Sequence, residues 1–112
     1  MIYLACPYSH HLEGVRKARF RAANIAAAKL MADGHVVYSA ISMSHPIAVE
    51  NDLGLDWDFW RPNDVYFIGI CDEMAVLKYP GWDQSEGVES EIRLAKSMGK
   101  KIRYLEWDDG IQ

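Results

Sequence analysis

Apolar residues gather along the chain in short runs and in helical stripes that alternate. Residues 2–6 (Ile-Tyr-Leu-Ala-Cys) form an unbroken apolar run closed by Pro7, which predicts a strand buried on both faces. From about residue 14 to residue 32 the spacing becomes helical. Val15, Ala18, Ala22, Ile25 and Ala26 recur on one face, while Arg16, Lys17 and Arg21 point elsewhere. Arg19 and Lys29 fall inside the apolar sector, where their aliphatic stems can lie on apolar surface with the charge in water. Gly34 ends this helix, and residues 35–39 (His-Val-Val-Tyr-Ser) read as a second short strand. Residues 40–56 hold Ser44-His45-Pro46 and Gly54 and read as a loop with room for one short helix. Residues 57–61 suggest a further turn of helix, which Pro62 interrupts. A helix over about 63–71 leads into a strand at 73–78, and Pro80-Gly81-Trp82-Asp83 is a turn. The clearest helix spans 85–98 and stops at Gly99, residues 101–107 form the last strand, and the tail to Gln112 is expected to fray.

Strands that alternate with helices predict an α/β domain with a parallel sheet covered on both faces. Short right-handed crossovers favour a three-layer doubly wound arrangement, flavodoxin-like or Rossmann-like, with a mainly parallel sheet of four to five strands in the order 2-1-3-4. The 112 residues suffice for a single domain over 1–112. In that order the topological switch point lies between the first and third strands, and ligands bind outside the carboxyl ends there. The loops at 7–13 and 79–86 would line the crevice.

Composition narrows the function classes. A net charge of −4 gives no reason to expect a nucleic-acid polymer as partner. No basic leader and no long apolar span is visible, so no membrane association is expected. The two cysteines, Cys6 and Cys71, belong to no ligand pattern, and reduced buried thiols in a cytoplasmic protein are the plain reading. His10, His11, His35 and His45 lack the spacing of a metal site.

One residue breaks the pattern. On a helical wheel Val88, Glu91, Ile92, Ala95 and Gly99 share an arc of about 100°, whereas Glu86, Glu89, Arg93 and Lys96 point away. Glu91 is thus a carboxylate in an apolar sector, costly unless it is paired or faces a cavity, and it lies near the predicted crevice. A glutamate bonded to backbone or to a basic partner competes evenly with a functional one. Ser85 is a candidate N-cap and Gly87 allows close backbone approach to a ligand, although Asp83 with Glu86 offers a rival capping box. Asp64 should begin the helix that precedes the third strand and so lie at the crevice edge. An ordinary N-terminal aspartate favoured by the helix dipole is the competing explanation. Asp72 begins the third strand and belongs to the opposite edge. Tyr3, Tyr8, Trp57, Trp60 and Trp82 cluster near the same loops, where flat side chains suit a planar ring or simply pack. Arg16 and Arg19, near the start of the first helix, are placed to meet an anion or to solvate a helix face.

Three segments carry a resemblance. They are Ile2-Tyr3-Leu4-Ala5-Cys6-Pro7; Asp64 followed by Cys71-Asp72; and Gly81-Trp82-Asp83-Gln84-Ser85-Glu86-Gly87-Val88 through Glu91-Ile92 and Ala95 to Gly99-Lys100-Lys101. With these the chain resembles the nucleoside 2-deoxyribosyltransferase-like superfamily, and most nearly its branch of unknown function, DUF1937. The third segment is similar to the superfamily's S-x-G-x-x-x-E block and following G-K. The resemblance implies a nucleophilic glutamate, matched by Glu91, that attacks C1′ of a nucleoside or nucleotide and displaces the base. It implies an acid or base-orienting aspartate at Asp64 and a tyrosine at Tyr3 that orients the glutamate. Ser85 and Gly87 match positions that bind the sugar or its 5′-phosphate. The first loop, with Cys6, Pro7, Tyr8 and Ser9, and Trp82 beside the block, complete the expected substrate contacts. No metal or organic cofactor is implied. The chain departs from the superfamily in carrying Cys6 where glycine is frequent, and Pro7-Tyr8-Ser9-His10 where deoxynucleotide N-glycosidases carry Ser-x-Arg. Arg16 or Arg19 is left as the substitute for that arginine. Neighbouring subunits often complete sites in the superfamily, so a homodimer or higher homo-oligomer is expected.

The expected function is therefore cleavage of the N-glycosidic bond of a small-molecule nucleoside or nucleotide, by hydrolysis or deoxyribosyl transfer. A non-catalytic nucleotide-binding module of the same fold and a glycohydrolase acting on an NAD-like or ADP-ribose-like nucleotide are the alternatives.

Overall fold

The computed structural model describes residues 1–54 and 57–108. Residues 55 and 56 of the expected loop and residues 109–112 of the expected tail lie outside the described residues. The chain runs β1 (Ile2–Ala5), α1 (Glu13–Ala32), β2 (Val37–Ser39), α2 (Ala40–Asn51), α3 (Trp57–Ile70), β3 (Glu73–Leu77), a single 3₁₀ turn (Trp82–Gln84), α4 (Glu86–Ser97) and β4 (Lys101–Leu105). The four strands pair in parallel in the order β2-β1-β3-β4, the order expected.

The strand period divides the core into two halves. Ile2, Leu4, Ala75 and Leu77 face α1, where Ala22, Ala23, Ala26, Ala27 and Leu30 meet them. Tyr3, Ala5, Met74 and Val76 face the other way, onto Ile68 of α3 and Val88 and Ala95 of α4. The small side chains of α1 let it lie close on the sheet. Ala18, expected on that face, is exposed, and Ala23, Ala27 and Leu30 extend the buried stripe instead. Both long crossover helices end in the same device. Gly34 (φ 95°) and Gly99 (φ 72°) adopt the left-handed conformation. The amides of His35 and Lys100 then bond back to Leu30 and Ala95, and those of Gly34 and Gly99 to Met31 and Lys96.

Two proline-containing stretches differ from expectation. Residues 40–51 form a full helix, not a loop, with Pro46 inside it. The bond that Pro46 cannot make is offset by packing. Ala40 and Ala48 are buried, His45 stacks on Phe20 of α1 at 4.3 Å, and the Ser42 hydroxyl donates to Asn24 at 2.5 Å. Pro62 likewise interrupts nothing, because α3 is continuous from Trp57 to Ile70. It sits on an exposed face early in the helix, where it removes a single interior bond.

Candidate active site

Tyr3 occupies the middle of β1 and is fully buried on the α3–α4 side of the sheet. Its hydroxyl donates to Oε2 of Glu91. The Tyr3 ring packs on Tyr38 at 5.5 Å, and Tyr38 stacks on Phe67 of α3 at 3.8 Å and accepts from the Asn63 amide at 2.6 Å. An aromatic layer thus fixes the phenol that holds the glutamate.

Glu91 projects from the second turn of α4 and is 6% exposed. Asp64 projects from the middle of α3 and is 9% exposed. It is not the N-terminal residue expected, so attraction to the start of the helix does not account for it. Burial raises the carboxyl of Glu91 to about 8; the Tyr3 hydroxyl partly offsets this and the charge of Asp64 adds to it. Burial likewise raises Asp64 to about 6, again partly offset by the Tyr3 hydroxyl. Among the described residues no cation pairs with either carboxyl. The basic partner that a structural carboxylate would need is therefore not found beside Glu91.

Both carboxyls open onto a cleft of about 670 Å³ at the carboxyl ends of β1 and β3. Cys6, Tyr8, Ser9 and His10 from the loop after β1 line one part of it, and Gly81, Gln84, Ser85, Glu86 and Gly87 from the segment after β3 line another. Trp57 and Trp60 of α3 and Ile41, Ser44 and Ala48 of α2 form the remaining wall. The Ser-His-Pro stretch conceals that wall in the sequence, although the two tryptophans stand out there as candidates. Of the residues singled out from the sequence, Glu91, Asp64, Cys6, Tyr8, Ser9, Ser85 and Gly87 meet at this cleft. Tyr3 stands behind Glu91. Pro7 is buried beneath the loop and does not line the cleft, and Trp82 turns away to pack against Tyr104 at 5.7 Å. Neither Pro7 nor Trp82, both expected to touch substrate, lines the cleft.

Three further features shape the site. Ser85 is the N-cap of α4, its hydroxyl accepting the Val88 amide at 3.2 Å, whereas Asp83 lies in the 3₁₀ turn, so the rival capping box does not form. Burial pushes the Cys6 thiol up to about 12, which keeps it protonated and unreactive at neutral pH. Arg19 reaches the cleft from α1, while Arg16 is spent on the His10 carbonyl at 2.6 Å. The Arg19 guanidinium donates to the Ser9 carbonyl at 3.0 Å, and among the described residues its buried Nε has no partner. It lies so close to Gly81 that a Cβ there would come within 2.6 Å of Nη2. Tyr8, which lines the cleft, has its hydroxyl 2.5 Å from Nδ1 of His45 in α2.

At the opposite sheet edge Asp72 meets the Met1 amino group and takes no part in the cleft. Cys6 and Cys71 are both free and buried. No described helix is long and apolar enough to cross a membrane.

The model of a protein family, the domain of unknown function DUF1937, matches residues 1–107, and the chain belongs to that family. No curated protein matches it.

Proposed function

We propose that this member of the DUF1937 family breaks the N-glycosidic bond of a nucleoside or nucleotide through a covalent intermediate on Glu91, as its resemblance to the nucleoside 2-deoxyribosyltransferase-like superfamily implies. The observation that carries the reading is the pair of buried carboxyls, Glu91 and Asp64, sharing one cleft, with no ion pair to either among the described residues. Glycosyl transfer through an enzyme-bound sugar needs such a pair, one group to attack carbon and one to manage a proton.

In the first step a Glu91 oxygen bonds to C1′ as the C1′–N bond breaks, and Asp64 gives its proton to the departing base. In the second step Asp64, now a carboxylate, takes a proton from water as the water oxygen attacks C1′, and Glu91 leaves as a carboxylate. A second base in place of water would give transfer. Tyr3 holds Glu91 in position through its hydrogen bond and favours the ionised form that attacks. Trp57 and Trp60 supply flat apolar surface for a base. Arg19, which lines the cleft and pairs with no carboxylate among the described residues, together with the start of α4 at Ser85 and Gly87, supports a substrate that carries phosphate.

The test is incubation of the wild type and Glu91→Ala with a panel of nucleosides, nucleotides and NAD, with free base followed by chromatography. Base release by the wild type alone is the expected result, and the compound consumed identifies the substrate class. No release by either protein, with binding of the same compounds detected by calorimetry, would replace the reaction with a nucleotide-binding role. Release from NAD alone would move the substrate to that class.

A further inference from the structure

Trp57, Trp60 and Asp64 follow one another on a single face of α3. Their helical spacing sets them in a row over about 10 Å. All three line the cleft, whereas Asp58 and Arg61 between them do not. Both indoles are half-buried. The ring nitrogen of Trp60 donates to the Gly54 carbonyl at 3.2 Å, and Phe59 meets the same ring in a T-shaped contact at 4.9 Å. These contacts fix the indole beside the cleft.

Charge at the cleft is mainly negative. Asp64, Glu86 and Glu91 line it against Arg19, which lies beside the loops at Ser9 and Gly81. Among the described residues no ion pair neutralises any of the three carboxyls. An indole face carries negative charge and attracts a cation, and a carboxylate in the same row adds to that attraction. A flat cation therefore matches this row better than a neutral ring does. A neutral base also needs a proton in order to leave. Burial raises Asp64 only to about 6, so near neutral pH it is mostly a carboxylate, which suits a counter-ion better than an acid.

We propose that the N-glycoside taken by this cleft carries a positively charged heteroaromatic ring, of the pyridinium class, held by Trp57, Trp60 and Asp64. This rests on the proposed cleavage at Glu91 and names its substrate class. The first step then differs from that written for a neutral base. As the Glu91 carboxylate bonds to C1′, the electron pair of the C1′–N bond passes to the ring nitrogen and cancels its charge. The base leaves neutral, with no proton from Asp64. Water then attacks C1′, Asp64 takes its proton and later gives it to solvent, and Glu91 leaves as a carboxylate. The bound cation also favours ionised Glu91, whose proton passes to solvent.

The test uses the full chain carrying Glu91→Gln, which cannot form the bond to the sugar. Calorimetric titration with nicotinamide mononucleotide, and with its neutral isostere benzamide mononucleotide, isolates the charge on the ring. The expected result is about tenfold tighter binding of the pyridinium compound. Adding Asp64→Asn or Trp60→Leu should narrow that gap severalfold, with circular dichroism confirming the fold. Equal affinities, or no binding of either compound, would overturn the proposal. So would a gap that survives both variants, which would place the ring elsewhere. If the wild type then releases base from neutral nucleotides, cleavage at Glu91 stands and only the substrate class falls. The expected gap, without release of base from any nucleotide by the wild type, would support the cation site and overturn the reaction.

Discussion

Replacing Glu91 with glutamine should change how the stability of the protein responds to pH, whatever reaction the cleft supports. Burial lifts the Glu91 carboxyl from 4.5 to about 8. A raised carboxyl binds its proton more tightly in the folded chain than in the unfolded one. Below about 4.5 both states are protonated and the group is neutral in the balance. Between 4.5 and about 8 the unfolded chain releases the proton and the folded chain keeps it, so stability falls as pH rises. Above about 8 the full cost is present, roughly 5 kcal/mol at about 1.4 kcal/mol per pH unit. That is a large fraction of the roughly 5–15 kcal/mol that holds a domain together. Glutamine has nearly the same volume and can still accept from Tyr3, but it does not titrate. Urea denaturation of wild type and Glu91→Gln from pH 5 to pH 9 measures the difference. The gap between the two stabilities should drift in favour of the variant by several kcal/mol across that range. Asp64 raises the slope of both proteins alike and largely cancels in the comparison. Parallel curves would refute the argument, since they would mean that Glu91 ionises in the folded chain as readily as in water.

The remaining predictions concern the proposed reaction. The profile of kcat/KM against pH should be a bell with limbs near 6 and 8, reporting the carboxyl pair as a unit, and Asp64→Asn should abolish the bell and leave a single limb. Tyr3→Phe removes the hydrogen bond that favours ionised Glu91, so the acid limb of that single-limbed profile, read in Tyr3→Phe/Asp64→Asn, should move up by about one to two pH units. Gly81→Ala places a Cβ within 2.6 Å of Arg19 Nη2 at a residue with φ 98°. It should raise KM for a phosphorylated substrate by about tenfold or more while leaving the unphosphorylated nucleoside nearly unaffected, as steady-state kinetics on the two substrates would show.

How far the fold can be read from the sequence depends on contrast between faces. In α4 the charged and apolar positions separate cleanly, so the anomaly of Glu91 stands out on the helical wheel alone, and Val88, Glu91 and Ala95 are the residues buried. α1 is rich in alanine and blurs its own stripe, which is why its periodicity turns Ala18 toward the sheet and leaves Ala23 off it. β1 and β3 are legible as apolar runs because both of their faces are covered. Proline misleads twice, at Pro46 and Pro62. In each case local propensity speaks against a helix that packing on α1, or on the sheet, sustains. The consequences reach the site. Pro46 hides the α2 wall of the cleft. Pro62 puts Asp64 at a helix end, where a structural explanation is ready, instead of in a helix middle, where burial leaves that explanation without force. Pro7 and Trp82 lie off the cleft lining for another reason. They lie in irregular segments, and no periodicity says which way a side chain there will point.

The two carboxyls also bear on how the cleft rests when empty. With Glu91 raised to about 8 and Asp64 to about 6, the pair holds one proton near neutral pH, and the stronger burial of Glu91 favours the proton there. The proposed attack needs the opposite arrangement, with Glu91 ionised and the proton on Asp64. Reaching that arrangement costs free energy in the empty cleft, because burial favours the proton on Glu91. In the proposed reaction, positive charge developing at C1′ faces Glu91 and lowers this cost as the glycosidic bond stretches. The stabilisation is therefore absent from the empty cleft and greatest in the transition state, which is where binding energy raises a rate. In the proposed reaction, the burial that makes Glu91 expensive to the fold also favours its protonated, inert form until a substrate with a breaking bond at C1′ arrives. Tyr3 sets the balance between the two states, because its hydroxyl is bonded to the carboxyl on which the proton rests.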